Sequence, residues 1–155
     1  MPALRIYADT SVFGGCFDAG FAEDSRRVFE AAESGRVVLL VSDLLLRELG
    51  PAPPPVQSLL TALPADAVEM VALTADSERL RDAYLAARIV GPASRNDAAH
   101  IAIATVARAD AIVSWNFRHV VRLDKIKAYN QVNVLSGYGV LTIVSPTEVR
   151  FDEPS

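Results

Sequence analysis

The chain has 155 residues, 51% of them hydrophobic and 22% charged, with a formal net charge of −4 at pH 7. That length suits one domain around one core, and that composition excludes a disordered chain. No apolar run exceeds five residues, far below the roughly 20 needed to span a bilayer, and the acidic balance excludes a uniformly basic surface.

Leu4 to Ala8 reads as the first strand. With no charged segment ahead of an apolar one, a secretory leader is not expected. The lone Cys16 cannot form an internal disulfide and reads as a packed thiol, which fits a cytoplasmic protein. After a loop containing Gly14-Gly15, a helix is predicted from Asp24 to Ser34, with Gly35 as its stop. Arg36 to Ser42 is apolar at its centre and reads as a strand buried on both faces. Ser42 or Asp43 caps a helix running to Leu49, and the prolines from Pro51 to Pro55 break it.

A short helix is predicted from Val56 to Leu63, a strand from Val68 to Leu73, and a long helix from Thr74 or Asp76 to Ile89. Gly91-Pro92 ends that helix. Ser94, three residues before Asp97, looks like the start of a capping box for the next one. Ala111 to Ser114 and Val140 to Val144 read as strands. Between them lie a helical turn near Arg118, a helix from Leu123 to Val132, and a loop from Asn133 to Gly139. Strands separated by helices predict an α/β fold with a mainly parallel sheet, residues 1–150 forming one domain and 151–155 a C-terminal tail. Ligands of such sheets collect at the carboxyl ends of the strands.

Three carboxylates, Asp9, Glu48 and Asp97, sit where a hydrophobic element meets a helix. Each has an alternative structural role: Asp9 as a cap, Glu48 as an exposed partner of Arg47, Asp97 as a complement to a helix dipole. Glu48 resists that alternative most, because it shares a helical face with Leu44 and Leu45. A buried carboxylate ordinarily needs a partner or a metal. Jointly, three acids near one sheet edge favour a hard cation, Mg²⁺ or Mn²⁺. No His/Cys grouping supports zinc, so His100 reads as a packed or hydrogen-bonded helix residue. His119, beside Asn116 and Arg118, is the better functional candidate. Arg118, His119, Arg122, Lys125 and Lys127 fall within ten residues, either as a phosphate-holding patch or as a solvated helix face.

Together these residues resemble the PIN-domain family, in particular VapC-like toxins of bacterial type II toxin–antitoxin systems. The resemblance rests on Ile6-Tyr7-Ala8-Asp9-Thr10-Ser11-Val12, Leu46-Arg47-Glu48-Leu49, Asn96-Asp97-Ala98-Ala99-His100-Ile101-Ala102 and Val113-Ser114-Trp115-Asn116-Phe117-Arg118-His119. It extends to Tyr138-Gly139 and Ser145-Pro146-Thr147-Glu148-Val149 near the end.

The resemblance implies a PIN-like three-layer α/β/α sandwich and a metal-dependent endoribonuclease. By it, Asp9, Glu48 and Asp97 are metal ligands and Asn116 completes the catalytic set. Thr10 or Ser11 is the hydroxyl residue beside the first acid. Asn116 stands where many members carry a fourth acid, and an amide adds no charge to hold a second ion. The resemblance further implies an RNA substrate, an antitoxin protein that blocks the pocket, and a homodimer. A catalytically weak or inactive PIN-fold interaction module is the alternative. A receiver-like phosphoacceptor also begins with an acid after a strand, but its preceding acidic pair and late lysine are missing here.

Overall fold

The computed structural model describes residues 2–151. Five parallel strands form one sheet in the order β3-β2-β1-β4-β5. They are β1 (Leu4–Ala8), β2 (Val37–Ser42), β3 (Val68–Val71), β4 (Ala111–Val113) and β5 (Thr142–Val144). The helices are α1 (Thr10–Gly15), α2 (Ala22–Glu33), α3 (Asp43–Leu49), α4 (Pro54–Thr61), α5 (Ala75–Ala86), α6 (Arg95–Val106) and α7 (Leu123–Leu135). None is long and apolar enough to cross a membrane.

Successive side chains of a strand point to opposite faces, and the core divides accordingly. Ile6, Ala8, Leu39, Val41 and Val113 join Val12, Val28, Phe29 and Val56 on one face. Tyr7, Leu40 and Ile112 join Leu80, Tyr84, Ile101, Ile103 and Tyr129 on the other. The result is the expected three-layer α/β/α sandwich, with every strand pair parallel. Cys16 is buried, and burial pushes its thiol up to about 11, as befits a packed and unreactive side chain.

Several boundaries differ from the sequence expectation. Thr10 to Gly15 is helical rather than part of a loop, because Asp9 caps it by accepting from the Ser11 N–H. A Cβ on Gly15 would lie 2.5 Å from Ser25 Oγ and 2.7 Å from Trp115 Nε1. The glycine is there for close packing, not for a turn. Ser94 makes no side-chain cap, since the 3₁₀ turn Pro92–Ser94 runs directly into α6. The expected capping box is absent there; one forms instead at Thr74 and Ser77, ahead of α5.

Helix α5 stops at Ala86, short of Ile89, because Arg88 takes φ 59°. The Ile89 N–H then bonds Tyr84 O and the Arg88 N–H bonds Leu85 O, a Schellman ending without its usual glycine. Helix α7 runs on to Leu135, through the buried Asn133, whose side chain bonds Thr105 and Tyr84. Strands β3, β4 and β5 are each shorter than expected. Phe151, where a tail was expected to begin, is buried against the first core; residues 152–155 of that tail lie outside the described residues.

Candidate active site

The chain builds β1, β2 and β3 outward in one direction, then returns to the other side of β1 for β4 and β5. The strand order therefore switches between β1 and β4, where open parallel sheets leave a crevice beyond the strand ends. Asp9 directly follows β1, and its N–H bonds Val113 O of β4 at 3.1 Å. Ser11 ties the two sides together. Its hydroxyl hydrogen-bonds the Asp9 carboxylate and accepts from the Trp115 N–H at 2.9 Å. Asp9 thus fills the capping role and still presents an acid to the crevice. It is 6% exposed, and burial raises its pKa, opposed by hydrogen bonds from Ser11 and Ser114.

Glu48 arrives from α3, which spans the sheet edge: Leu45 and Leu49 enter one core and Leu44 the other. One turn after Leu44, the Glu48 carboxylate reaches the neighbourhood of α6. Its Oε1 accepts from Thr10 Oγ1 at 2.6 Å and meets His100 Nε2 at 2.5 Å. The other ring nitrogen, Nδ1, lies 2.6 Å from the Tyr7 hydroxyl. That hydroxyl is 2.7 Å from Ser42 Oγ, which in turn caps α3 through the Leu45 N–H. A continuous polar chain therefore runs from the start of α3, through β1 and α6, back to the end of α3. Burial acts to raise the Glu48 pKa, but the hydrogen bond and charge of His100, with the Thr10 hydrogen bond and the Arg47 charge, together outweigh it and the net shift is downward. Arg47 is not its principal partner.

Asp97 is half-buried in the first turn of α6. Burial raises its pKa, while His119, His100 and a hydrogen bond from the Asn116 side chain pull it down. Asn116 Oδ1 accepts from the N–H groups of Arg118 at 3.1 Å and His119 at 2.8 Å. Its oxygen is thereby committed to capping that turn. The fourth position thus holds a structural amide that also supports an acid.

The basic cluster is divided. Arg122 pairs with Asp124 at 2.8 Å, and Lys125 donates to Ile89 O. Arg118 and Lys127 are exposed and make no ion pair among the described residues. His119 is half-buried, with its carbonyl accepting from Tyr129 Oη.

All three acids feel His100, which lies 4% exposed between them. Among the described residues, no group of three acidic, histidine or cysteine side chains is gathered tightly enough to hold a metal ion. The donor chemistry nevertheless fits a hard cation. Glu48 uses one carboxylate oxygen, Oε1, for protein hydrogen bonds and keeps the other clear of them. Asp9 and Asp97 are also held where burial penalises their charge, a penalty that a bound cation relieves.

Sequence reasoning gave His100 as a packed or hydrogen-bonded helix residue and Ser42 as a cap, as found, but joined neither to Glu48 and passed over Tyr7 between them. The available signal was polar: a tyrosine inside a strand and a histidine inside an alanine-rich helix each need a buried partner.

No protein-family model and no curated protein matches the chain. Two solved structures share its architecture. Mycobacterium tuberculosis VapC20, a sarcin–ricin loop cleaving toxin, superposes with a TM-score of 0.55 at 19% identity, over 74% of this chain and 92% of its own. The fold is that of the VapC toxins. VapBC2 from Rickettsia felis, bound to a DNA fragment from its promoter, gives 0.52 at 15% identity, over 74% of this chain and 90% of that one. The sheet order and flanking helices described above are thus a VapC-type, PIN-like fold.

Proposed function

We propose that this protein is a metal-dependent endoribonuclease acting as the toxin of a type II toxin–antitoxin pair. The observation that carries the reading is the placement of Asp9, Glu48 and Asp97 about His100, at the switch point of a VapC-type sheet. The three acids would hold Mg²⁺ or Mn²⁺. When bound, such an ion neutralises phosphate charge and makes a coordinated water acidic enough to attack phosphorus.

The chain's own residues orient that site. Ser11 fixes Asp9, Thr10 and His100 fix Glu48, and the Asn116 amide favours the charged form of Asp97. Arg118 and Lys127 offer unpaired positive charge to an RNA backbone that the acids would otherwise repel. An antitoxin that places a basic side chain among the acids would silence the enzyme. A second copy of the chain is the proposed partner of the apolar face formed by Val134, Leu135 and Val140.

Purified protein with Mn²⁺ and end-labelled structured RNA provides the test. Discrete cleavage that disappears in Asp9→Asn supports the reading, whereas cleavage that survives the substitution removes Asp9 from the chemistry. The second reading, a non-catalytic interaction module, is favoured by the amide at position 116 and by the open arrangement of the acids. Metal binding without any cleavage would establish it.

A further inference from the structure

Beside the acids, a groove of about 420 Å³ runs between α3, α5 and α6, with Glu48 at its rim. Leu44 and Leu73 form apolar walls, and Arg47, Arg81 and Asn96 supply polar groups. Asp43 Oδ1 accepts from the Leu73 N–H at 3.1 Å, which ties the segment before α5 to the start of α3. The groove is therefore braced rather than left to a loose loop.

Arg81 is the unusual member. It is 7% exposed, and an arginine this buried ordinarily has its donors paired. Its one protein partner among the described residues is Asp82 Oδ1, 3.0 Å from Nε, on a side chain that is 62% exposed. The terminal nitrogens of Arg81 are not sealed away, because the only sealed and unpartnered side-chain nitrogen among the described residues belongs to Arg27. Arg81 lines the groove, so the surface left to these nitrogens is available to an occupant there. A guanidinium held in place along its stem, with its fork free, matches the two oxygens of a phosphate. Arg47 adds a second positive charge, so the groove remains cationic beside Glu48.

We propose that the groove of Arg47, Arg81 and Asn96 is a phosphate-binding subsite that holds the RNA backbone beside Glu48, next to the phosphate to be cut. This rests on the ribonuclease reading for the identity of its occupant. Glu48 and Ala99 line the groove, and they adjoin Arg47 and His100 in sequence. A strand crossing the acids thus has this groove as its continuation, with donors aimed at its phosphates rather than at its bases.

Affinity of the full chain for a short fluorescein-labelled single-stranded RNA, measured by anisotropy in EDTA over a salt series, tests the subsite without cleavage. Arg81→Gln and Arg47→Gln should each weaken binding about tenfold and flatten the plot of log K against log salt by about 0.7. Arg81→Lys should recover part of the affinity by restoring charge without the fork. Arg79→Gln, on the same helix but outside the groove, should bind as the wild type does. Folded Arg47→Gln and Arg81→Gln proteins with wild-type affinity and slope would overturn the proposal. So would loss of binding to a poly-glutamate peptide with RNA binding intact, since the groove would then serve an acidic protein. If wild-type protein shows the arginine-dependent RNA binding but no Mn²⁺-dependent cleavage, the subsite stands and the nuclease reading fails.

Discussion

His100 Nε2 lies 2.5 Å from Glu48 Oε1, and the opposite nitrogen of the same ring lies 2.6 Å from the Tyr7 hydroxyl. One buried ring thus couples the acid of α3 to the first strand of the sheet. Replacing His100 with Ala takes one of the two partners of the Tyr7 hydroxyl, leaving Ser42 Oγ, and removes the partner that depresses the Glu48 pKa. Loss of such a bond costs about 0.5–1.5 kcal/mol. The pH dependence follows from the sign of the shift. Because the folded-state pKa of Glu48 is lowered, its contribution to stability is present above the unfolded-state value and is lost as pH falls through the folded one. Denaturation of His100→Ala across the acidic range should show lower stability at neutral pH and a shallower acid limb. An unchanged acid limb would separate Glu48 from this ring.

Asp9 and Asp97 shift the opposite way, upward through burial. A metal ion needs both as carboxylates, so it must displace protons from groups that hold them more tightly than usual. Mn²⁺ affinity measured by calorimetry should fall as pH is lowered, beginning above the ordinary aspartate range. Proton release on binding should grow over the same interval. Affinity that stays flat until the ordinary aspartate range would show that neither acid is a ligand.

Asn116→Asp tests the fourth position. The substitution replaces an amide that favours the charged form of Asp97 with a negative charge. Without metal, the melting temperature should drop, because like charges now face each other in a partly buried site. With Mn²⁺ the order should reverse, since ligand-linked stabilisation grows with affinity. Thermal melts with and without Mn²⁺ decide it; a variant whose metal-induced rise matches the wild type leaves position 116 outside the metal site.

Gly15→Ala concerns packing alone. The added methyl would meet Ser25 Oγ and the Trp115 ring at distances no real Cβ shows, and Trp115 Nε1 already donates to Ser25 Oγ at 2.7 Å. Overpacking of this kind costs about 1–3 kcal/mol. Chemical denaturation should show that loss, with Trp115 fluorescence altered in the native state; Gly14→Ala, where a Cβ meets nothing within 4 Å, should be tolerated far better.

Legibility of this chain followed the range of the interactions. The five-residue run Val37 to Val41 could only be a strand buried on both faces, and Asp9 could be placed at a sheet edge from the strand before it. Glu48 was readable as an acid turned toward the core because Leu44 and Leu45 set its helical face, though it is only half-buried. Its partner was not readable, since His100 lies 52 residues away and reaches it only through packing. Position 88 hid a helix end for a local reason. An arginine adopts the left-handed conformation that sequence patterns assign to glycine. The short helix α1 was obscured because its paired glycines look like a loop until Trp115 is packed against Gly15.

The bond from the Trp115 N–H to Ser11 joins residues 104 apart, and it has a consequence for how the protein is made. A ribosome releases Asp9 and Glu48 early, but β1 keeps one bare edge until Ala111 to Val113 emerge and pair with it. Closing so long a loop comes late in folding. A chain interrupted before that point carries acids with no second wall to oppose them. On the reading proposed, abandoned translation products would be harmless to the cell that makes them, and hazard would begin only with the nearly finished chain.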